Sequence, residues 1–476
     1  MNTSDFRKYA HELVDWMAWY MDNVESFPVK PGVKPGEIFR QIPESPPAEA
    51  ESFDRVFNDF LNVIMPGITH WQSPNFYAYF PANTSPPSVL AEMITATLGA
   101  QCMIWETSPA AAELEERVLN WLRDAMGLPA VFEGVIHDTA SVATLCALIS
   151  ARERTTGFAI NEEGHVHGAR LRVYASAETH SSVEKGVKVA GLGRNNLVKI
   201  RTLPDGSMDA DSLAGAILAD KASGYVPCCV VATLGTTGST AVDPVGKIAA
   251  ICREHSVWLH VDAALAGTAL LLPEFRYLAV ESAMADSLVF NPHKWMFTNF
   301  DCSVYFVRDA AHLIRTFEIL PEYLKTLTRG TVNDYRDWGV PLGRRFRALK
   351  LWWVIRCYGM EGIREKIRFH ITLASTLAGM VKSDGNFELI RPPLFNTVCF
   401  RFIPQEVPSH RHNEINEKLN HMINDSGKIY LTHTVIDGKY LLRMVTGQTN
   451  VTMEHVEEAW ETIRSTATMM LREGYL

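Results

Sequence analysis

Apolar residues recur at intervals of three and four near the start of the chain. Phe6, Ala10, Leu13, Met17, Tyr20, Met21 and Val24 predict a helix over residues 4–24. A stretch rich in proline and glycine follows, from Pro28 to Pro47, and reads as an extended arm. No partner helix lies close by in sequence, so the first helix is expected to dock on a second subunit or elsewhere on its own chain. From about residue 86 to 360 the pattern becomes an alternation of helical stretches and short apolar runs. Val89–Leu98, Ala110–Met126, Ser181–Ala190, Ala210–Lys221 and Val245–His255 carry the helical period. Leu171–Tyr174, Cys228–Thr233, Trp258–Val261, Ser287–Phe290 and Ser303–Val307 read as buried strands.

That alternation predicts an α/β fold with a mostly parallel central sheet covered on both faces, and places chemistry in the loops after the strand C-termini. Beyond residue 361 a long helical pattern, a strand-like Thr397–Phe402, a helix at Asn413–Asn424 and a strand at Tyr440–Val445 read as a small C-terminal α+β domain. The expected division is therefore residues 1–85 as an N-terminal helical and extended dimerisation segment, 86–360 as the large domain and 361–476 as the small one.

Composition changes this picture little. A chain of 476 residues with 47% hydrophobic and 21% charged residues has ample core material. Its net charge of −9, without a basic stripe, argues against a nucleic-acid partner. The eight cysteines are scattered with no C-x-x-C pair, which predicts reduced core thiols in a cytoplasmic protein and no metal site. The N-terminus lacks a hydrophobic signal core, and the longest apolar stretch, near Ala263–Leu272, is too short to span a bilayer, so no membrane association is expected.

Five segments carry chemistry. Ser287-Leu-Val-Phe-Asn-Pro-His-Lys294-Trp places a lysine after an apolar run, where desolvation can free its amine to condense with a carbonyl. His260-Val-Asp262-Ala-Ala264 buries a carboxylate that needs a cation or several hydrogen bonds. A protonated pyridine nitrogen is such a cation, and the pair Asp262 and Lys294 points to pyridoxal 5'-phosphate (PLP), with Lys294 as the Schiff-base residue. Val135-Ile-His-Asp-Thr139-Ala140-Ser141 runs from a strand-like start into a helix and offers amides and hydroxyls to a phosphate, or simply a helix cap. Thr233-Leu-Gly-Thr-Thr237-Gly is a Gly/Thr loop open to a ligand, or a plain polar turn. His180, in Glu-Thr-His180-Ser-Ser, can stack on a planar cofactor or cap the helix it begins, while Asn291 and His293 flank the lysine.

In this order the chain resembles the fold-type I PLP-dependent decarboxylases, specifically the aromatic-L-amino-acid decarboxylase group. Thr69-His-Trp71-Gln-Ser-Pro-Asn-Phe-Tyr-Ala-Tyr79-Phe80-Pro81, Thr179-His180-Ser-Ser, Ala232-Thr-Leu-Gly-Thr-Thr237, Trp258-Leu-His-Val-Asp262, Asn291-Pro-His-Lys294-Trp, Tyr335-Arg-Asp-Trp and Pro341-Leu-Gly343-Arg-Arg carry the resemblance across nearly the whole length. It implies a homodimer and assigns catalysis to Lys294, Tyr323, His180, Asp262 and His293. Tyr323 would deliver a proton to the substrate Cα after carbon dioxide leaves, from a mobile loop reaching from about Lys325 to Tyr335. Thr139, Ala140, Ser141, His180, Thr237, Asp262, Ala264, Asn291 and Lys294 would hold the cofactor. Trp71, Tyr79, Phe80, Pro81, Ala82, Met103 and Gly343 would line the substrate pocket, although Trp71 and Phe80 also suit core packing.

The chain departs from its relatives at several pocket positions. Ala82 replaces a hydroxyl residue of some members, Gln101 and Met103 replace more apolar or aromatic ones, and Gly343 leaves room that a serine fills elsewhere. These changes favour tryptophan or a broad aromatic range over a dedicated DOPA enzyme. No arginine or lysine lies in the matched pocket segments, so an acidic side chain lacks an evident partner there. Asp138 stands where relatives can have glycine. An aldehyde synthase shares the fold and lysine, but typically carries phenylalanine for the loop tyrosine or a changed stacking histidine. A non-catalytic binding protein would not need Lys294, Asp262 and His180 together.

Overall fold

The computed structural model describes residues 1–164, 168, 170–319 and 330–473. Its contacts divide the chain into two compact units. The first comprises Met1–Pro81, Leu373–Pro392 and Val398–Leu476, and the second Ala82–Thr372 with Pro393–Thr397. The opening segment thus shares a unit with the C-terminal residues. Among the described residues no helix is long and apolar enough to cross a membrane.

The second unit is built on a seven-stranded sheet. Its strands are β1 (Glu133–His137), β2 (Leu171–Ser176), β3 (Leu197–Ile200), β4 (Val226–Thr233), β5 (Trp258–Asp262), β6 (Ser287–Phe290) and β7 (Ser303–Val307). They lie in the order β1-β7-β6-β5-β4-β2-β3. The four pairings from β6 through β5, β4 and β2 to β3 are parallel, and β7 is antiparallel to both its neighbours. Because β1 and β6 both oppose β7, they run in one direction, and β1, β2, β4, β5 and β6 all end at the same sheet edge. The chain turns outward from β2 to β3 and then winds the other way from β4 to β7. The switch in direction falls between β2 and β4, where open α/β sheets form ligand crevices. Every residue of β5 and β6 is buried, as expected for central strands covered on both faces.

Local signals start and stop the helices of this unit. Pro86 and Pro109 open helices Pro86–Leu98 and Pro109–Met126 at positions where the missing amide costs nothing. Gly99 and Gly127 end them in the left-handed conformation. Asp209 caps helix Ala210–Ala222 by accepting from the Asp211 and Ser212 amides.

The first unit holds a four-stranded sheet in the order β10-β11-β9-β8. Its strands are β8 (Phe387–Leu389), β9 (Thr397–Phe402), β10 (Thr432–Ile436) and β11 (Lys439–Val445). Helices His412–Asp425 and Met453–Arg472 supply Leu419, Ile423, Trp460 and Ile463 to its core. The N-terminal helix runs from Thr3 to Asn23 behind a reciprocal Asn2–Asp5 capping box. It packs on its own chain: Tyr9 stacks on Phe53 at 4.2 Å, Trp16 meets Phe57 and Phe60 edge-on, and Tyr20 Oη lies 2.8 Å from His70 Nδ1. No residue of the helix is buried, and Phe6 and Trp19 stay about half exposed at 58% and 48%.

Candidate active site

The C-terminal edge of the large sheet gathers the chemistry-bearing segments of the second unit. Backbone hydrogen bonds stitch the loops after its three central strands together. Leu234 N donates to Asp262 O, Ala263 N to Val289 O, and Asn291 N to Ala264 O. Gly235, with φ of +82°, makes the turn after β4, and a Cβ there would stand 2.9 Å from that of Ala266.

Asp262 ends β5, only 5% exposed, and its Oδ1 accepts from the Ala264 amide at 3.1 Å. Lys294, half-buried, lies in the short helix Pro292–Trp295 that follows β6. His180 starts helix Ser181–Val189, where its Nδ1 accepts from the Ser182 amide at 3.2 Å and lies 2.8 Å from that residue's hydroxyl. It therefore caps the helix with its ring only partly buried. Burial lowers the His180 pKa, the Lys294 charge lowers it further, and the Asp262 carboxylate opposes both. His180 thus lies within electrostatic reach of both Lys294 and Asp262.

The residues flanking Lys294 are committed to holding it. His293 Nδ1 accepts from the Cys302 amide at 2.9 Å, and its carbonyl accepts from Asn83 N. Burial, with Lys294 adding, pushes the His293 pKa down to about 3, so the ring is neutral. Asn291 Oδ1 accepts from the Ser303 hydroxyl at 2.6 Å, which leaves its amide nitrogen as the outward donor. Trp295 is fully buried and donates through Nε1 to His370 Nδ1 at 2.9 Å.

At the end of β1, Thr139 caps helix Ala140–Thr156, its hydroxyl accepting from Val142 N at 3.4 Å. The Ala140 and Ser141 amides have no acceptor among the described residues. Asp138 turns Oδ1 back onto the Thr139 amide at 2.6 Å, placing a carboxylate at the mouth of this helix start. Thr237 is exposed and Ala264 half-buried. Four buried polar atoms at this edge lack a hydrogen-bond partner: His137 Nε2, Ser176 Oγ, Thr179 Oγ1 and Thr233 Oγ1. Unpartnered polar atoms at strand ends can meet a polar ligand. The donor set suits PLP, with open amides for a phosphate, a buried carboxylate for a pyridinium and a lysine for an aldehyde. Among the described residues no cluster of His, Cys, Asp or Glu is arranged to hold a metal ion.

The substrate candidates divide between the units. In the second, Met103 O accepts from Arg336 N at 2.9 Å, and Ala82 is half-buried. Gly343 does not face open space. A Cβ there would stand 3.2 Å from Gln101 Nε2, because Gln101 Oε1 is fixed by the Arg344 amide at 2.7 Å. A serine there would have to press the Gln101 amide aside by a few tenths of an ångström. In the first unit, Trp71 packs on Phe76 at 4.4 Å and on Tyr79 at 5.7 Å, Tyr79 is about half exposed, and Pro81 is buried. The Arg443 guanidinium lies 4.8 Å over the Phe80 ring and donates to Tyr79 O at 2.8 Å. Arg443 is 3% exposed, its Nε and Nη2 lack partners, and burial lowers its pKa to about 10. A cation therefore does adjoin this segment, contributed from β11 and invisible to a search of neighbouring sequence. Tyr323 and the segment from Lys325 to Arg329 lie outside the described residues.

Two positioning residues were missed in the sequence. Ser303 orients Asn291. Asp243, 1% exposed, accepts from Thr233 N at 2.8 Å and Met208 N at 2.7 Å and so fixes the Gly/Thr loop. An aspartate before proline at the end of that loop was the available signal.

A family model described as the pyridoxal-dependent decarboxylase conserved domain matches residues 35–403. The chain is 40% identical to tyrosine decarboxylase 2 of Narcissus pseudonarcissus, over 99% of this chain and 95% of that one. It is 39% identical to tryptophan decarboxylase 2 of Oryza sativa subsp. japonica, over 99% and 96%. Phenylacetaldehyde synthase of Arabidopsis thaliana is 40% identical, over 99% and 98%. Among solved structures, Oryza sativa TDC with PLP and tryptamine superposes with a TM-score of 0.96 at 38% identity, covering 99% of both chains. Catharanthus roseus tryptophan decarboxylase in complex with L-tryptophan gives 0.93 at 38% identity, again covering 99% of both.

Proposed function

Since the chain belongs to the pyridoxal-dependent decarboxylase family, we propose that it removes the α-carboxylate of an aromatic L-amino acid, releasing the arylalkylamine and carbon dioxide. Tryptophan, or a broad aromatic range that includes tyrosine, phenylalanine, DOPA and 5-hydroxytryptophan, is the substrate class proposed. The observation that carries this reading is the buried Asp262 at a strand end, with His180 within electrostatic reach of both it and Lys294. The relatives named for tryptophan and tyrosine decarboxylation support the aromatic class.

Each residue is given a role by its chemistry. PLP, when bound, supplies the electron-withdrawing ring that lets the bond between Cα and the carboxylate break. Lys294 Nζ would hold the cofactor through its aldehyde. Asp262 would keep the ring nitrogen protonated, the Ala140 and Ser141 amides with the Thr139 hydroxyl would hold the phosphate, and His180 would stack on the ring. Thr237, Ala264 and Asn291 complete the cofactor contacts, and His293 positions the lysine. Tyr323 transfers a proton to Cα. Trp71, Tyr79, Phe80, Pro81, Ala82, Met103 and Gly343 are proposed to shape the aromatic pocket. We also propose a cytoplasmic homodimer. The unburied first helix, with Phe6 and Trp19 half exposed, supports the dimer, and eight cysteines that form no disulfide among the described residues, seven of them buried, support a reducing compartment.

The test is an incubation of the purified, PLP-loaded protein with tryptophan, phenylalanine, tyrosine, DOPA, histidine and glutamate, scoring amine, aldehyde and carbon dioxide. Equal amounts of amine and carbon dioxide from at least one aromatic substrate are expected. No carbon dioxide from any of them overturns the reading. A second reading, aldehyde synthesis, is favoured by the 40% identical phenylacetaldehyde synthase and opposed by tyrosine at position 323 and histidine at 180. Aldehyde with ammonia as the main products would establish it.

A further inference from the structure

A second concave site lies at the other end of the same strands. A hollow of about 860 Å³ opens where β4 and β5 begin and where the chain leaves β7. Its size is that of a small-molecule site, and its lining includes the apolar Ala249, Leu259 and Met284. Its walls carry Arg154, Lys221, Arg253, Arg308 and His255, against a single carboxylate, Asp286.

The charges do not cancel. Arg154 spends its positive charge on Asp286, pairing through Nη1 at 2.6 Å and Nη2 at 3.4 Å, and is further held over the Trp258 ring at 4.5 Å. Asp286 also accepts from the Leu259 amide at 2.8 Å, so its oxygens are occupied. Arg308 donates to the carbonyls of Ala283 and Ala285, which orient the guanidinium without neutralising it. Lys221 Nζ donates to His255 Nδ1 at 3.3 Å, again a neutral partner. Arg253 has no ion pair among the described residues. Lys221, Arg253 and Arg308 therefore leave about three uncompensated positive charges around one hollow, on a chain whose net charge is −9. Low-dielectric walls focus such a field, and several cations around one cavity call for more than one negative charge. No phenylalanine, tyrosine or tryptophan lines the hollow, so the cations dominate what it can recognise.

From this arrangement we propose a binding site for a small polyanion carrying a polyphosphate group, separate from the PLP-binding edge. Lys221, Arg253 and Arg308 supply the countercharge, and the Arg154–Asp286 pair braces the wall. The phosphate chain is the recognised part, whether inorganic or carried by a nucleotide.

The test is calorimetric titration of inorganic triphosphate, and separately of adenosine triphosphate without divalent cations, into the PLP-saturated full-length protein at fixed ionic strength. Cofactor absorbance is followed throughout, so that displacement of PLP is seen. Saturable binding with unchanged cofactor absorbance is expected. It should weaken at least tenfold in the double variant Lys221→Ala/Arg253→Ala, whose exposed positions keep the fold and the decarboxylase activity as internal controls. Equal affinity for the two ligands assigns the bare polyphosphate, and tighter binding of the nucleotide assigns a nucleoside polyphosphate. Absence of saturable binding, unchanged affinity in the double variant, or binding only with loss of PLP would each overturn the proposal.

Discussion

Replacing Glu115 by alanine should destabilise the large domain far more than an ordinary helix substitution. Glu115 projects from helix Pro109–Met126 with its side chain 3% exposed, and one oxygen, Oε1, serves two donors. It accepts from Arg344 Nη2 at 2.6 Å and from the Ile136 amide of β1 at 2.8 Å. The Arg344 side chain is 6% exposed and also donates to Ile136 O at 2.9 Å. Breaking a buried pair from one side costs about 3–5 kcal/mol, because the remaining charge is left uncompensated. Leaving the Ile136 amide unpaired adds about 1–3 kcal/mol. Unfolding entropy of about 2.1 cal/mol/K per residue makes 1 kcal/mol worth roughly 1 °C in a chain of this length, so the melting midpoint should fall by about 4–8 °C. Glu115→Gln keeps an acceptor for Ile136 and should fall between wild type and alanine. Differential scanning calorimetry of the three PLP-loaded proteins measures both steps. A drop under roughly 2 °C for Glu115→Ala, or equal midpoints for the two variants, would refute the reasoning.

Three further outcomes follow from the proposed site. Tyr323→Phe should shift products from the amine toward the aldehyde and ammonia, read by chromatography, and an unchanged amine yield would remove Tyr323 from its role. His180 is held neutral by burial and by Lys294, so its protonation is opposed and activity that needs the neutral ring should be lost only as pH falls below the ordinary histidine value. A profile of kcat/KM from pH 5 to 8 tests this, and an acid limb at or above 6.5 speaks against it. Gly343→Ser should displace the Gln101 amide and change the ratio of tryptophan to tyrosine turnover by about 5–150-fold, the span of roughly 1–3 kcal/mol. Adding Gln101→Ala should remove much of that change, and equal ratios in both backgrounds would dissociate the two residues.

The central strands were legible because their signal is local. Ser287–Phe290 and Ser303–Val307 are continuous apolar runs, and both form strands with the bounds read from sequence. Strands that depend on neighbours were not. Leu197–Ile200 has only four residues, most of them incompletely buried, and β10 alternates partly buried and exposed positions at the edge of the small sheet. The helices from Ser181, Ala210 and Val245 start where the sequence places them, but the one from Pro86 was read only from Val89. Pro86 breaks an apolar pattern but serves well as a first helical residue. At the site, Asp262, Lys294 and His180 stood out because a carboxylate in an apolar run and a lysine after one are rare. Contacts formed across long sequence separations could not be read this way. Arg443 over Phe80, Gln101 against Gly343 and Ser303 on Asn291 all depend on the folded chain.

The account's centre is Lys294, placed after β6 near Asp262, as the residue that anchors the cofactor. Borohydride reduction of the PLP-loaded protein, followed by peptide mapping, tests it most directly. A pyridoxyl adduct on the peptide containing Lys294 is predicted, and an adduct on a different lysine would contradict the account.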